Sequence, residues 1–117
     1  MLAKSLPRTS ALVGALAAVF LSAAAPTHAA VDADAAQALA KKSNCMKCHS
    51  VTAKKDGPAF KETAAKLKGK PDAEEELYKH LTTHPKIKID GKEEEHASPK
   101  TTNEAEIRNL VQWILAQ

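Results

Sequence analysis

Two cysteines separated by two residues and followed at once by a histidine, Cys45-Met46-Lys47-Cys48-His49, constrain this chain more than any other feature of its 117 residues. The C-x-x-C-H spacing is that of covalent c-type haem attachment. Thiols about one helical turn apart reach two vinyl groups on one porphyrin edge, and the residue behind the second thiol swings its imidazole onto the iron. A thioredoxin-like dithiol needs a βαβ context that the sequence lacks. A zinc site needs four ligands, and His80 and His84 fall too far beyond Cys48 for finger spacing. A plain disulfide leaves His49 without a role. The expected cofactor is therefore one haem c held by Cys45 and Cys48, with His49 as the proximal iron ligand.

The rest of the chain needs such an object. Lys4 and Arg8 precede a small or apolar run from Ala11 to Ala25, and Thr27-His28-Ala29 offers a cleavage site, so residues 1–29 read as a secretory signal peptide. The run is shorter than the roughly 20 residues that span a bilayer. The product, residues 30–117, is expected to be one soluble domain without stable membrane insertion, in the periplasm of a Gram-negative host. Removing 29 of 117 residues leaves 88, of which only 14 are Leu, Ile, Val or Phe. So thin an interior calls for a staple, a metal or a bulky cofactor. A porphyrin among Leu39, Phe60, Leu67, Leu77, Leu110 and Trp113 supplies it, and the chain without haem is expected to be largely unfolded. Once Lys4 and Arg8 leave, 15 basic residues face 14 acids. That near-neutral balance and the scarcity of aromatic residues argue against nucleic-acid binding.

Periodicity predicts an all-α domain of about four helices. The first runs from Val31 to Asn44 with Asp32 or Asp34 as N-cap. The second has Pro58 near its first turn, Phe60, Ala64 and Leu67 along one face, and Gly69 at its end. The third follows Pro71, with Asp72 and Glu75 as an acidic capping box and Leu77, Leu81 and His84 on one face. The last is capped by Asn103 and Glu106 and carries Ile107, Leu110, Val111, Ile114 and Leu115. Between Pro85 and Thr102 the sequence is read as a long polar loop with Asp90-Gly91 as a turn, and no alternation long enough for a sheet.

With these elements placed, the chain resembles the small monohaem class I cytochromes c of bacteria, in particular short periplasmic electron carriers. The resemblance rests on the Ala-rich helix before Cys45-Met46-Lys47-Cys48-His49, on Gly57-Pro58-Ala59-Phe60-Lys61 with Ala64-Ala65-Lys66, and on Leu110-Val111-Gln112-Trp113-Ile114-Leu115. It implies that the Pro58 carbonyl accepts from the outer nitrogen of His49. It further implies that the last helix packs across the first with Trp113 near the haem. The family's sixth ligand is a Met on the loop before the last helix, and here the pattern breaks. Only Met1 and Met46 exist; the first leaves with the signal and the second sits on the attachment side. His96 occupies about the family Met's place before Trp113 and is the leading distal ligand. Its competitors are His80, His84, Asn103, Lys100 or an open position.

The resemblance implies a periplasmic electron-transfer protein, not an enzyme, exchanging one electron with a periplasmic reductase, an oxidase or a membrane-bound donor, and monomeric. Imidazole in place of thioether predicts a low potential. Glu93, Glu94 and Glu95 read either as a solvated acidic turn or as carboxylates that favour ferric iron and accept the outer N–H of His96. Lys41, Lys42, Lys47, Lys54 and Lys55 around the attachment motif suggest a basic docking face. The alternative is a haem-based binder or sensor of NO, O2 or CO, with His96 absent from the iron or leaving it on reduction or in acid.

Overall fold

The computed structural model describes residues 30–117; the expected signal peptide, residues 1–29, lies outside the described residues. Four α-helices form the frame: α1 (Ala33–Lys42), α2 (Phe60–Leu67), α3 (Ala73–Thr82) and α4 (Glu104–Leu115). A single 3₁₀ turn, Cys45–Lys47, follows α1, and two short strands, β1 (Lys86–Ile89) and β2 (Lys92–Glu95), lie between α3 and α4.

Capping chemistry sets most helix ends. The Asp32 carboxylate accepts from the Ala35 N–H at 3.0 Å and starts α1. Asn103 Oδ1 accepts from the N–H groups of Ala105 and Glu106 and starts α4. Gly69, at φ +81°, turns the chain just beyond α2. Pro58 directly precedes the Ala59 N-cap, near the first turn of α2 as expected, and Glu62 accepts from the Ala59 N–H at 3.0 Å. One expectation fails in detail. Asp72 occupies the N-cap of α3 but its side chain caps nothing, so no capping box with Glu75 forms. Glu75 is drawn instead to Arg108 of α4, 3.5 Å away.

The apolar stripe of α4 decides the packing. Leu110 and Val111 are fully buried, and Ile107, Trp113 and Ile114 join them in one cluster with Ala36, Leu39 and Ala40 of α1, Phe60 and Leu67 of α2, and Leu77 and Leu81 of α3. Small residues on α1 let α4 cross closely. The crossing is fixed by a reciprocal pair in which Asn109 Nδ2 donates to the Asp32 carbonyl at 2.8 Å and the Asp32 N–H donates to Asn109 Oδ1 at 2.9 Å. On the other flank Arg108 lies over the Tyr78 ring, 4.3 Å from its centroid, and pairs with Glu74, Glu75 and Glu104. The core side chains expected to surround the porphyrin, Leu39, Phe60, Leu67, Leu77, Leu110 and Trp113, are all in this cluster.

The segment after α3 differs from the long loop read in the sequence. Lys86–Ile89 and Lys92–Glu95 form an antiparallel hairpin, closed by Asp90 and Gly91, both at positive φ. An Asp-Gly pair with left-handed backbone suits a two-residue hairpin turn. The register sets Lys86 against Glu95 and Lys88 against Glu93, so the acidic run supplies opposite charges to the lysines of the facing strand. A two-stranded ribbon alone is marginal in water. This one is tied at its base, where the His96 N–H donates to the Pro85 carbonyl at 2.8 Å.

Candidate haem site

The attachment motif is delivered by the end of α1. Ser43 caps the helix, and Asn44 turns the chain through the left-handed region at φ 59°, a conformation that Asn tolerates better than most residues. The Cys45 carbonyl then accepts from both the Cys48 N–H, at 3.2 Å, and the His49 N–H, at 3.0 Å. That tight turn brings two free, half-buried thiols and an imidazole into one short arc. Burial pushes the Cys45 thiol above its usual pKa.

His49 is held from several sides. Its Nδ1 lies 2.7 Å from the Pro58 carbonyl oxygen, and since a carbonyl only accepts, the ring nitrogen donates. That fixes the tautomer and leaves Nε2 with its lone pair free. Gly57 lies against the ring face: a Cβ there would stand 2.8 Å from Nδ1 and 2.9 Å from Nε2, closer than real contacts allow. The loop carrying Gly57 and Pro58 is itself latched. The Gly57 N–H donates to the Cys48 carbonyl at 2.7 Å, and Lys55 Nζ donates to the Met46 carbonyl at 2.7 Å. Phe60 stacks nearly parallel to His49 at 5.2 Å between centroids, and Trp113 meets Phe60 edge-on at 5.6 Å.

His96, the first residue after β2, has its ring centroid 6.1 Å from that of His49. His96 Nδ1 is buried without a hydrogen-bond partner among the described residues. His80, in the last turn of α3, packs against it at 4.6 Å between centroids. Partial burial first, and neighbouring imidazoles second, lower the pKa of the half-buried His96; the more exposed His80 shifts the same way, for the same causes in the same order. Neutral imidazole, the form that binds metal, is thus favoured at both positions.

The other candidate ligands are engaged elsewhere. Asn103 spends its side-chain oxygen on the α4 cap, while the side chain of Lys100 is exposed. His84, at φ 50°, has its ring nitrogens 3.3 Å from Ser98 Oγ. The carboxylates of Glu93, Glu94 and Glu95 are exposed on β2 and make no hydrogen bond to His96, which matches the reading of a solvated acidic run rather than that of a carboxylate acceptor for its outer nitrogen. Met46 packs against the core cluster on the attachment side.

The donor set fits an iron porphyrin: two thiols and an imidazole in one turn, a fixed tautomer on that imidazole, and a buried imidazole nitrogen with nothing to bind. The comparisons with known proteins point the same way. The family model for cytochrome c matches residues 33–117. The chain belongs to the cytochrome c family. The class 1 cytochrome MtoD of Sideroxydans lithotrophicus ES-1 is 49% identical, with a TM-score of 0.71 over 74% of this chain and 97% of that one. Cytochrome c-552 of Hydrogenobacter thermophilus is 38% identical over 81 residues, 67% of this chain and 76% of its own. The wild-type Nitrosomonas europaea cytochrome c552 structure is 33% identical, with a TM-score of 0.53 over 68% of this chain and 95% of that one.

This cytochrome is thus a small monohaem class I protein, with one haem c attached through Cys45 and Cys48, and its function is haem-based electron transfer to and from redox partners. Among the described residues no helix is long and apolar enough to cross a membrane. Sequence reading singled out Cys45, Cys48, His49, Pro58, His96 and Trp113, and the fold gathers them around one region. It missed Gly57 as the floor beneath His49 and treated His80 only as a rival to His96 rather than its neighbour. The Gly before Pro58 was a visible signal; nothing local marks His80, which reaches the site through the packing of α3.

Proposed function

We propose that this cytochrome is a low-potential, bis-histidine electron carrier of the periplasm, with His49 and His96 as the two axial ligands. The observation that carries the reading is the pair of imidazoles with ring centroids 6.1 Å apart. Two imidazoles on opposite sides of one metal, each at about 2.0 Å, set their ring centroids about 6 Å apart. The buried, unpartnered nitrogen of His96 supports it, since coordination or a bond made on loading satisfies an atom that is otherwise costly to bury.

When bound, haem supplies an iron that cycles between ferric and ferrous states, taking up and giving back one electron. The chain's own residues set where that electron sits in energy and who receives it. His49 donates its Nδ1 proton to Pro58, which makes its other nitrogen a better donor. Imidazole at His96, in place of a thioether, favours ferric iron and lowers the potential. The acids of β2 are exposed and water-screened, and Glu93 and Glu95 face lysines of β1, so the axial ligand rather than Glu93 to Glu95 carries this shift. Phe60 and Trp113 form an apolar wall beside His49 that keeps water from the ring. Lys41, Lys42, Lys47 and Lys54 are exposed and offer a basic face to an acidic partner, a reductase, an oxidase or a membrane-bound donor, while Lys55 is held by Met46. Residues 1–29 direct export and are removed, and the carrier acts as a monomer.

Visible spectroscopy with potentiometry on the wild type and His96→Ala tests this reading. The wild type is expected to be six-coordinate and low-spin in both oxidation states, without a sulfur–iron band, and to leave carbon monoxide unbound. His96→Ala is expected to lose the ferric low-spin spectrum and rise in potential. A five-coordinate ferrous wild type that binds carbon monoxide contradicts the carrier reading in favour of a gas binder.

A further inference from the structure

We propose that His80 is a positioning residue for His96, packed against its ring so as to fix the plane in which that imidazole meets the iron. The inference rests on His96 being the distal ligand and concerns what orients it. His49 has its plane set twice, by the Nδ1–H bond to Pro58 and by Gly57 beneath the ring. His96 has neither device. Its backbone is anchored by the bond to Pro85, but no hydrogen bond from the described residues reaches Nδ1. A backbone anchor places Cα and leaves rotation of the ring open. Some other contact must stop that rotation, because a site held loosely by its surroundings loses its geometry.

His80 makes that contact. Its centroid lies 4.6 Å from that of His96 with the planes at 59°, a tilted packing in which one ring blocks the sweep of the other. His80 is itself placed by a rigid element, since Leu77 and Leu81 of the same helix are buried in the core. One turn further along the chain, His84 meets Ser98, two residues past His96. The end of α3 and the turn just after it therefore meet the distal strap at two points, the ring of His96 and the hydroxyl of Ser98. The planes of His49 and His96 stand at 54° to each other. That angle between two axial imidazoles governs the splitting of the iron d orbitals and is read directly in the electron paramagnetic resonance of low-spin ferric haem.

The test compares this resonance in haem-loaded wild type, His80→Ala, His80→Phe and His96→Ala. His80→Ala is expected to stay low-spin but with its largest g value shifted and its line broadened, and His80→Phe, which refills the packing, to return towards the wild-type signal. His96→Ala is expected to lose the low-spin signal. If His80→Ala gives the wild-type spectrum while His96→Ala loses it, the positioning role fails and the ligand assignment stands. If His80→Ala loses low-spin character and His96→Ala keeps it, both fall, and His80 is the ligand. If His80→Ala does not load haem, His80→Phe decides: a near-wild-type signal upholds the packing role, and a shifted, broadened one overturns it.

Discussion

The two sides of the haem site are built by opposite strategies. The attachment side is local: Cys45, Cys48, His49, Gly57 and Pro58 span little sequence, and each is tied to another by a backbone bond or a steric floor. The distal side is assembled at long range. His96 depends on a hairpin that closes at Pro85, on His80 from α3, and on a strap fastened through the Lys100 N–H to Ser43, which caps α1. The difference teaches that proximal geometry is over-determined while distal geometry is held by few contacts. Mutations on the first side should therefore act through haem attachment and stability, and on the second through spectrum and potential.

Cys45→Ala combined with Cys48→Ala has the largest expected effect, because it removes the covalent hold on the group that completes a thin core. The purified double variant is expected to lack covalent haem after acid–acetone treatment and to lose most of its helical circular dichroism. A haem-free variant with wild-type helicity would show that the protein side chains suffice as a core. Next in size, His96→Ala should abolish low-spin character and admit carbon monoxide to ferrous iron while the haem stays attached. Gly57→Ala pushes a methyl into a ring that the iron holds in place, and overpacking of this kind costs about 1–3 kcal/mol. Thermal melts should fall by several degrees, with the axial spectrum retained. Asn103→Ala removes the cap of α4 beyond the distal strap; it should cost about 1 kcal/mol and leave the spectrum unmoved. Smallest of all, Glu94→Gln, exposed on β2, should shift neither melting temperature nor potential measurably. A potential that moves with Glu94→Gln would return the acidic run to a role beside the iron.

The same asymmetry governs what could be read from sequence. Cys45, Cys48 and His49 are legible because their chemistry needs adjacent positions, and the helices because each carries a cap or an apolar stripe, as with Asp32, Asn103 and the Ile107 to Leu115 face. The hairpin was half legible. Lys86-Ile87-Lys88-Ile89 alternates and Asp90-Gly91 follows, but Lys92-Glu93-Glu94-Glu95 has neither alternation nor strand-forming residues. Its partner is the alternating strand before the Asp90-Gly91 turn, and the placing of Glu93 and Glu95 opposite lysines is visible only once the register is known. Asp72 sits at the N-cap of α3 but does not cap it, because its backbone (φ −107°, ψ 15°) lacks the extended conformation that Asp32 and Asn103 use to turn their side chains onto the first turn, while Glu75 pairs with Arg108 of α4. His80 could not be assigned from spacing, since its neighbour His96 is sixteen positions away and meets it only once α3 and the hairpin are folded.

Iron-edge X-ray absorption on the ferric and ferrous haem-loaded protein tests the central claim most directly, because it reads the identity of the atoms bonded to iron. The account predicts a shell of six nitrogens in both states, four from the porphyrin and one each from His49 and His96, with one nitrogen lost in His96→Ala. A sulfur at bonding distance, a five-coordinate shell in the wild type, or six nitrogens persisting in His96→Ala would contradict it.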